Sequence, residues 1–145
     1  MAVTFTNNWK NILGKLESIL ETEFKGALPL HKGNTVPKGV NQALQLVPTG
    51  SVLSDYNATS ETREFSIEMY YYFSEPNVNK NALDQVLRIT SRIEALIHDN
   101  TAMVLTDSSN CFNCRIETTE LNALDDENEY VVQLEWVGQH LGNIG

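Results

Sequence analysis

The sequence predicts an α+β domain: a mostly antiparallel sheet of about five strands packed against two helices, in the order α-β-β-β-α-β-β with long loops. Three observations point there. Two stretches space their apolar residues by three and four, as a helix with one buried face does. Several others alternate apolar and polar residues, the period of a strand covered on one side. The elements do not follow the strand–helix–strand alternation that builds a parallel doubly wound sheet, so helices gathered against an antiparallel sheet are the natural packing. No internal repeat is present. At 145 residues, 41% of them hydrophobic, the whole chain 1–145 reads as one domain with enough core to fold by itself.

After a short extended start, Trp9, Ile12, Leu13, Leu16, Ile19, Leu20 and Phe24 form the stripe of the first helix, with Thr6, Asn7 or Asn8 able to cap its start and Gly26 to end it. Two short strands follow, around Ala27 to Leu30 and Asn41 to Val47, separated by a turn region from His31 to Gly39. Pro48 to Thr62 mixes Pro, Gly, Ser, Asn, Asp and Thr with little periodicity, and reads mostly as a long exposed loop of the kind that is usually functional or flexible. The clearest strand comes next, where Phe65, Ile67, Met69, Tyr71 and Phe73 alternate with Glu64, Ser66, Glu68, Tyr70 and Tyr72. Ser74-Glu75-Pro76-Asn77 breaks it. Asn81, with Asp84 three residues on, resembles the cap of a second helix, whose stripe is Leu83, Val86, Leu87, Thr90, Ile93, Leu96 and Ile97 and whose end is His98-Asp99-Asn100. Two alternating runs complete the sheet. One places Phe112, Cys114 and Ile116 on one face; the other places Tyr130, Val132, Leu134 and Trp136 together, after the acidic turn Asp125-Asp126-Glu127-Asn128-Glu129.

With helices on one face, the sheet would bury Phe65, Ile67, Met69, Phe112, Cys114, Tyr130, Leu134 and Trp136. Its second face would carry Glu64, Ser66, Glu68, Tyr70, Tyr72, Asn113, Arg115, Glu117, Gln133 and Glu135. That face is mixed, with carboxylates at one end of the long strand and tyrosines at the other. Tyrosines on a wet sheet face often mark a contact surface. The other reading is that the long loop or the chain end folds over Tyr70 and Tyr72 within the same subunit.

Charge narrows the function classes. Ten basic against nineteen acidic side chains give a formal charge of −9, so the chain repels phosphate backbones and anionic lipid at long range. DNA binding as a main task is disfavoured, while a surface that DNA slides past without sticking suits that sign. The start lacks the basic and apolar regions of a secretory signal, and no stretch nears the roughly 18 apolar residues of a membrane span, so the expectation is a protein that is cytosolic in the cell that makes it, with no membrane partner.

No motif carries catalysis or a cofactor. Cys111-Phe112-Asn113-Cys114 has the CxxC spacing of a zinc half-site or redox pair, but on a regular strand positions three apart point to opposite faces, so the two thiols are expected apart, Cys114 packed and Cys111 exposed. Two cysteines are too few for a disulfide framework. His31, His98 and His140 are scattered, and no metal is expected. The Asp125 to Glu129 run lacks the central Gly and terminal Glu of an EF-hand. Lys32-Gly33-Asn34-Thr35 and Lys38-Gly39 lack the order of a phosphate-binding loop. Ser, His and Asp all occur, yet without a nucleophile turn, and Glu64 with Glu68 would need a sugar cleft that nothing suggests.

The opening helix with Trp9-Lys10-Asn11-Ile12-Leu13, the segment Asn41-Gln42-Ala43-Leu44-Gln45-Leu46-Val47-Pro48-Thr49-Gly50-Ser51 and the strand from Arg63 to Phe73 together resemble small neck proteins of tailed bacteriophages, of the tail terminator or tail completion family. The resemblance covers most of the chain and rests on element order and soft patterns. It implies a virion protein that forms a ring, usually of six subunits, which caps the tail tube and offers a docking surface to the head-completion complex, the stopper or adaptor. Genome DNA passes through the ring without specific binding. It implies no catalytic residues. On this reading Tyr70, Tyr72, Lys32, Lys38 and Tyr56 are candidates for subunit or partner contacts, and Glu64, Glu68, Asp125, Asp126 and Glu127 are candidates for the lumen. Competing readings are a head-completion protein one layer nearer the capsid, or, outside virions, a small ligand-binding α+β domain; an enzyme ranks last.

Overall fold

A computed structural model describes residues 6–25, 28, 30–32, 42–74, 82–123 and 129–143. In chain order they form α1 (Asn8–Phe24), β1 (Leu30–Lys32), β2 (Gln42–Tyr56), β3 (Ser60–Ser74), α2 (Ala82–His98), β4 (Met103–Val104), β5 (Asn110–Ala123) and β6 (Glu129–Asn143). The strands make one sheet in the order β1-β2-β3-β6-β5-β4. Among the described residues only the short β1 runs parallel to its neighbour; every other pairing is antiparallel. The class is α+β, as the patterning predicts. The two-residue β4 is too short to leave a periodic signal.

Of the three candidate caps of α1, Asn7 does the work: its Oδ1 accepts from the Lys10 N–H at 3.1 Å. The helix ends at Phe24, because Lys25, one residue before Gly26, itself turns left-handed (φ 52°) and its N–H donates to the Glu21 carbonyl at 2.7 Å. Ile12, Leu16, Leu20 and Phe24, four residues apart, form its buried line. The second stripe needs a correction. Val86, Ile89, Thr90, Ile93 and Ile97 are buried, but Leu83 is 43% and Leu87 46% exposed. At about 100° per residue the buried arc of α2 leans toward Ile89, which carries Leu83 and Leu87 to its rim. Asn81, the expected cap, lies outside the described residues. Thr90 is tolerated inside because its hydroxyl donates to the Val86 carbonyl at 2.8 Å.

Both helices pack on one sheet face. They share a core with Phe65, Ile67, Met69, Tyr71, Phe73, Val132, Leu134 and Trp136. Trp9 meets Phe65 edge-on, ring centroids 4.7 Å apart, and the buried Tyr71 hydroxyl donates to Gln42 at 2.8 Å.

Two corrections concern β2 and β5. Pro48 to Thr62 is not a loop: β2 continues to Tyr56 and returns as β3 through a tight turn closed by Asn57, whose Oδ1 accepts from the N–H groups of Thr59 (2.9 Å) and Ser60 (3.0 Å). Alternation is lost there because the ladder shifts register between Pro48 and Gly50 and between Leu53 and Asp55, and because the arm is exposed on both sides. In β5 a bulge between Phe112 and Arg115, with Asn113 left-handed (φ 55°), inserts one extra residue. Cys111 and Cys114 therefore point to the same side. Both are wholly buried in the core, with Sγ atoms 3.6 Å apart, and Phe112, expected inside, is 37% exposed.

Candidate assembly surface

The face that no described helix covers is built from alternate residues of β2, β3, β6 and β5. Gln45 stands opposite Tyr70 and then Gln133 and Glu120; Val47 stands opposite Glu68 and then Glu135. Glu68 and Glu135 are thus directly opposed carboxylates, a placement that repels. The neighbouring side chains offset part of the cost. The Tyr70 hydroxyl donates to Glu68 Oε2, and Gln133 Nε2 donates to Glu68 Oε1 at 2.9 Å. Arg115 is the basic group paired here, 2.6 Å from Glu117 and 3.7 Å from Glu64. The named charged groups leave the face acidic.

Tyr70 and Tyr72 stack, centroids 6.3 Å apart and planes 29° from parallel. The hydrogen bond to the Glu68 carboxylate, with burial second, pushes the Tyr70 phenol up to about 12. Tyr72, raised by burial, donates to Gln45 Oε1 at 3.1 Å. Neither segment proposed to fold over these rings is placed to do so. Pro48 to Thr62 lies in the sheet, and β6 ends at Asn143 beside Ser60, the far end of β3 from Tyr70.

The structure thus brings Glu64, Glu68, Tyr70 and Tyr72 onto one face and joins them to Arg115, Gln133 and Glu135. Tyr56 lies apart, 64% exposed at the end of β2. Lys32 closes β1. Lys38, Asp125, Asp126 and Glu127 lie outside the described residues.

Two sheet edges went unread in the sequence. Among the described residues, β1 pairs β2 only over Leu44–Leu46, so β2 from Val47 to Tyr56 has no partner on its outer side. Val52 there is 67% exposed. On the opposite edge, β4 pairs β5 only at Asn110 and Cys111 and the Cys114 N–H donates to the Thr101 carbonyl at 2.9 Å, which among the described residues leaves Arg115 to Ala123 open. An unpaired edge presents a row of N–H and C=O groups ready for another strand. The alternation-free composition of 48–62 hid the first edge; Val52, Leu53 and Tyr56 within it were the available signal.

A polar cleft of about 600 Å³ lies at one end of the sheet, lined by Thr6, Asp107, Ser109, Phe112, His140 and Leu141, among others. It gathers a serine, a histidine and an aspartate, but in an order unsuited to a nucleophile. Ser109 donates to Asp107 Oδ1 at 2.5 Å, and its Oγ lies 2.9 Å from His140 Nε2. The hydroxyl's one proton goes to Asp107, which leaves the histidine as donor. A catalytic triad needs the histidine to accept that proton and the carboxylate to sit on its other nitrogen. The hydrogen bonds from Ser109 lower the Asp107 pKa, and burial lowers that of His140. The arrangement ties the turn before β5 to β6. Among the described residues no three His, Cys, Asp or Glu side chains converge to hold a metal ion, and no helix is long and apolar enough to cross a membrane.

No protein-family model matches the chain, and no curated protein matches it. Solved structures do. One, whose description states no function, aligns with 97% of this chain and 99% of its own at a TM-score of 0.66 and 14% identity. Another is a chain in the virion of a native gene transfer agent particle, with a TM-score of 0.66 and 6% identity over 95% of this chain and 100% of that chain. At these identities the likeness is one of fold.

Proposed function

We propose that the chain is a structural subunit of a phage-like virion, assembling with its own copies into a ring at the neck that ends the tail tube and meets the head-completion layer. The observation that carries this is the end-to-end likeness in fold to a chain of a gene transfer agent virion, in agreement with the neck-protein resemblance of the sequence. The reading assigns the chain no reaction and no cofactor.

The two open edges supply a physical route to self-assembly. β2 and β5 run antiparallel to each other across the sheet, so the outer side of β2 in one copy can accept β5 of the next without breaking the antiparallel order. The join is head-to-tail, the kind that builds rings. The open halves lie at opposite ends: Leu53 is level with Arg63, His140 and Cys111, whereas Ala123 is level with Tyr130, Phe73 and Gln42. Pairing them therefore staggers neighbours by about five residues, or roughly 17 Å. Set against about 19 Å of width for the four long strands, that stagger tilts the strands by about 40°, inside the range of closed barrels. β1 and β4 cover the halves that the neighbour does not reach. With the right-handed crossover that β3-α2-β5 connections adopt in nearly all folds, this tilt puts the helices outside and the face with Glu64, Glu68, Tyr70 and Tyr72 toward the lumen. A carboxylate-rich lining would let DNA pass without sticking.

The test is assembly of the purified chain, alone and with tail-tube subunits, followed by electron microscopy and sedimentation. Rings, and tubes of capped length, are expected. Lysine at Val52 or Leu121, one on each open edge, should abolish ring formation while leaving monomer stability within about 0.5 kcal/mol. Virions without the polypeptide, or wild-type protein that neither forms rings nor caps tubes, would refute the proposal. Capture by portal-side connector proteins in place of tube would move the subunit to the head-completion layer.

A further inference from the structure

We propose that Cys111 and Cys114 are a peroxide-sensing dithiol that closes to a reversible disulfide within the folded chain. The proposal stands on the β5 bulge and is independent of what the chain assembles into. A regular strand would separate residues three apart onto opposite faces. Here the left-handed Asn113 and the register shift between Phe112 and Arg115 turn both side chains inward, and the sulfurs meet at 3.6 Å. Closing from that distance to a disulfide length of about 2.05 Å is a shift of roughly 1.5 Å. A metal needs more ligands than these two, and no third converges among the described residues.

Both thiols are buried, which selects a small oxidant over a bulky disulfide. The cleft stops one residue short of the pair: Cys111 stands opposite His140 in the β5–β6 ladder and beside Phe112, both of which line the cleft, so an oxidant must pass these side chains to reach the sulfurs. The two sulfurs have different surroundings. Cys111 is raised by its hydrogen bond with Cys114 and by burial. Cys114 is lowered, first by that hydrogen bond, with the charge of Arg115 adding to the shift. The cationic Arg115, next to Cys114 in the chain, makes Cys114 the sulfur assigned the first attack.

The step balances with one hydrogen peroxide. The Cys114 sulfur attacks a peroxide oxygen, the O–O bond breaks, and the departing hydroxide leaves as water with the thiol proton, giving a sulfenic acid. The Cys111 sulfur then attacks the Cys114 sulfur; the S–S bond forms, the S–O bond breaks, and a second water leaves with the Cys111 proton. Two thiols lose two electrons and peroxide gains them. A thiol reductant reverses the change.

The test treats the folded full-length chain with hydrogen peroxide, quenches it, then unfolds it in an alkylating reagent for mass spectrometry. The expected product has lost the mass of two hydrogens, takes up no alkyl group, and takes up two after reduction. Two alkylated thiols, oxygen added to separate sulfurs, or chains joined to each other would overturn the proposal. Cys111→Ala removes the resolving sulfur, so a dimedone adduct should accumulate on Cys114. Its absence in the folded variant would overturn the assignment of Cys114 as the attacking sulfur, while the wild-type mass measurement tests the pair without any variant.

Discussion

Gly138 is the position where one added carbon should cost most. It sits on β6 two residues from Trp136, on the same sheet face, and the indole lies across it. A Cβ built on Gly138 would stand 2.5 Å from Trp136 Cη2, 2.7 Å from Cζ2 and 3.0 Å from Cys111 Sγ. Comfortable carbon–carbon contact is about 3.5–4.0 Å, so the ring must retreat by about 1 Å. It has nowhere to go: Trp136, Ile67 opposite it and Cys111 are all wholly buried. Overpacking costs about 1–3 kcal/mol, and a rigid indole belongs at the upper end. Gly138→Ala should therefore lose about 2–3 kcal/mol, which at roughly 4 °C per kcal/mol for a domain of this size lowers Tm by roughly 8–12 °C. Urea unfolding followed by circular dichroism measures it. The companion experiment is a double-mutant cycle with Trp136→Phe, which deletes the two ring carbons that clash. In that background Gly138→Ala should cost less than about 1 kcal/mol, a coupling of at least about 1 kcal/mol. An unchanged midpoint for Gly138→Ala, or equal costs in the two backgrounds, would show that the indole–glycine contact does not set the packing of β6.

Two further outcomes test the titrating groups. The Tyr70 phenol is raised from its ordinary 10.0 to about 12, first by its bond to Glu68. Folding thus favours the protonated form, a contribution present below pH 10 and lost as pH rises toward 12. In ultraviolet titration Tyr70, Tyr71 and Tyr72 should all ionise late in the wild type, and Glu68→Gln should move one of the three, Tyr70, back toward 10; an unmoved titration would disprove the bond. His140 is shifted the other way, lowered from 6.5 by burial, with Asp107 and Glu61 opposing. Folding favours its neutral form, so this contribution is present above pH 6.5 and lost as pH falls through the lower folded value. Between pH 7 and about 5.5 the wild type should lose more unfolding free energy than His140→Gln, and equal losses would count against a buried neutral ring.

Much of the fold was legible because burial and periodicity coincide. α1 buries every fourth residue of its apolar line, and β3 buries Phe65, Ile67, Met69, Tyr71 and Phe73 in strict alternation. Glu64, Glu68, Tyr70 and Tyr72 were legible as co-facial for the same reason. The failures occur where pattern and pairing part company. The arm Pro48 to Tyr56 is held by backbone bonds to β3 with both faces wet, so its side chains record no period. Leu83 and Leu87 fit a helical stripe yet sit at the rim of the arc that packing selects.

Sequence alone determined the class of the domain, its acidic balance of charge, and the one strand on which tyrosines and carboxylates share a side. These depend on composition and on residues near one another in the chain, where local geometry dictates which side chains agree. Tertiary structure decided the rest: which strand neighbours which, and therefore which two edges stay open; that Glu68 faces Glu135 across the sheet; and that a left-handed Asn113 turns two cysteines onto one side. The reason is physical. Pairing partners, register shifts and bulges are set by contacts between segments far apart in the chain, and a one-residue slip in any ladder exchanges the face of every side chain beyond it.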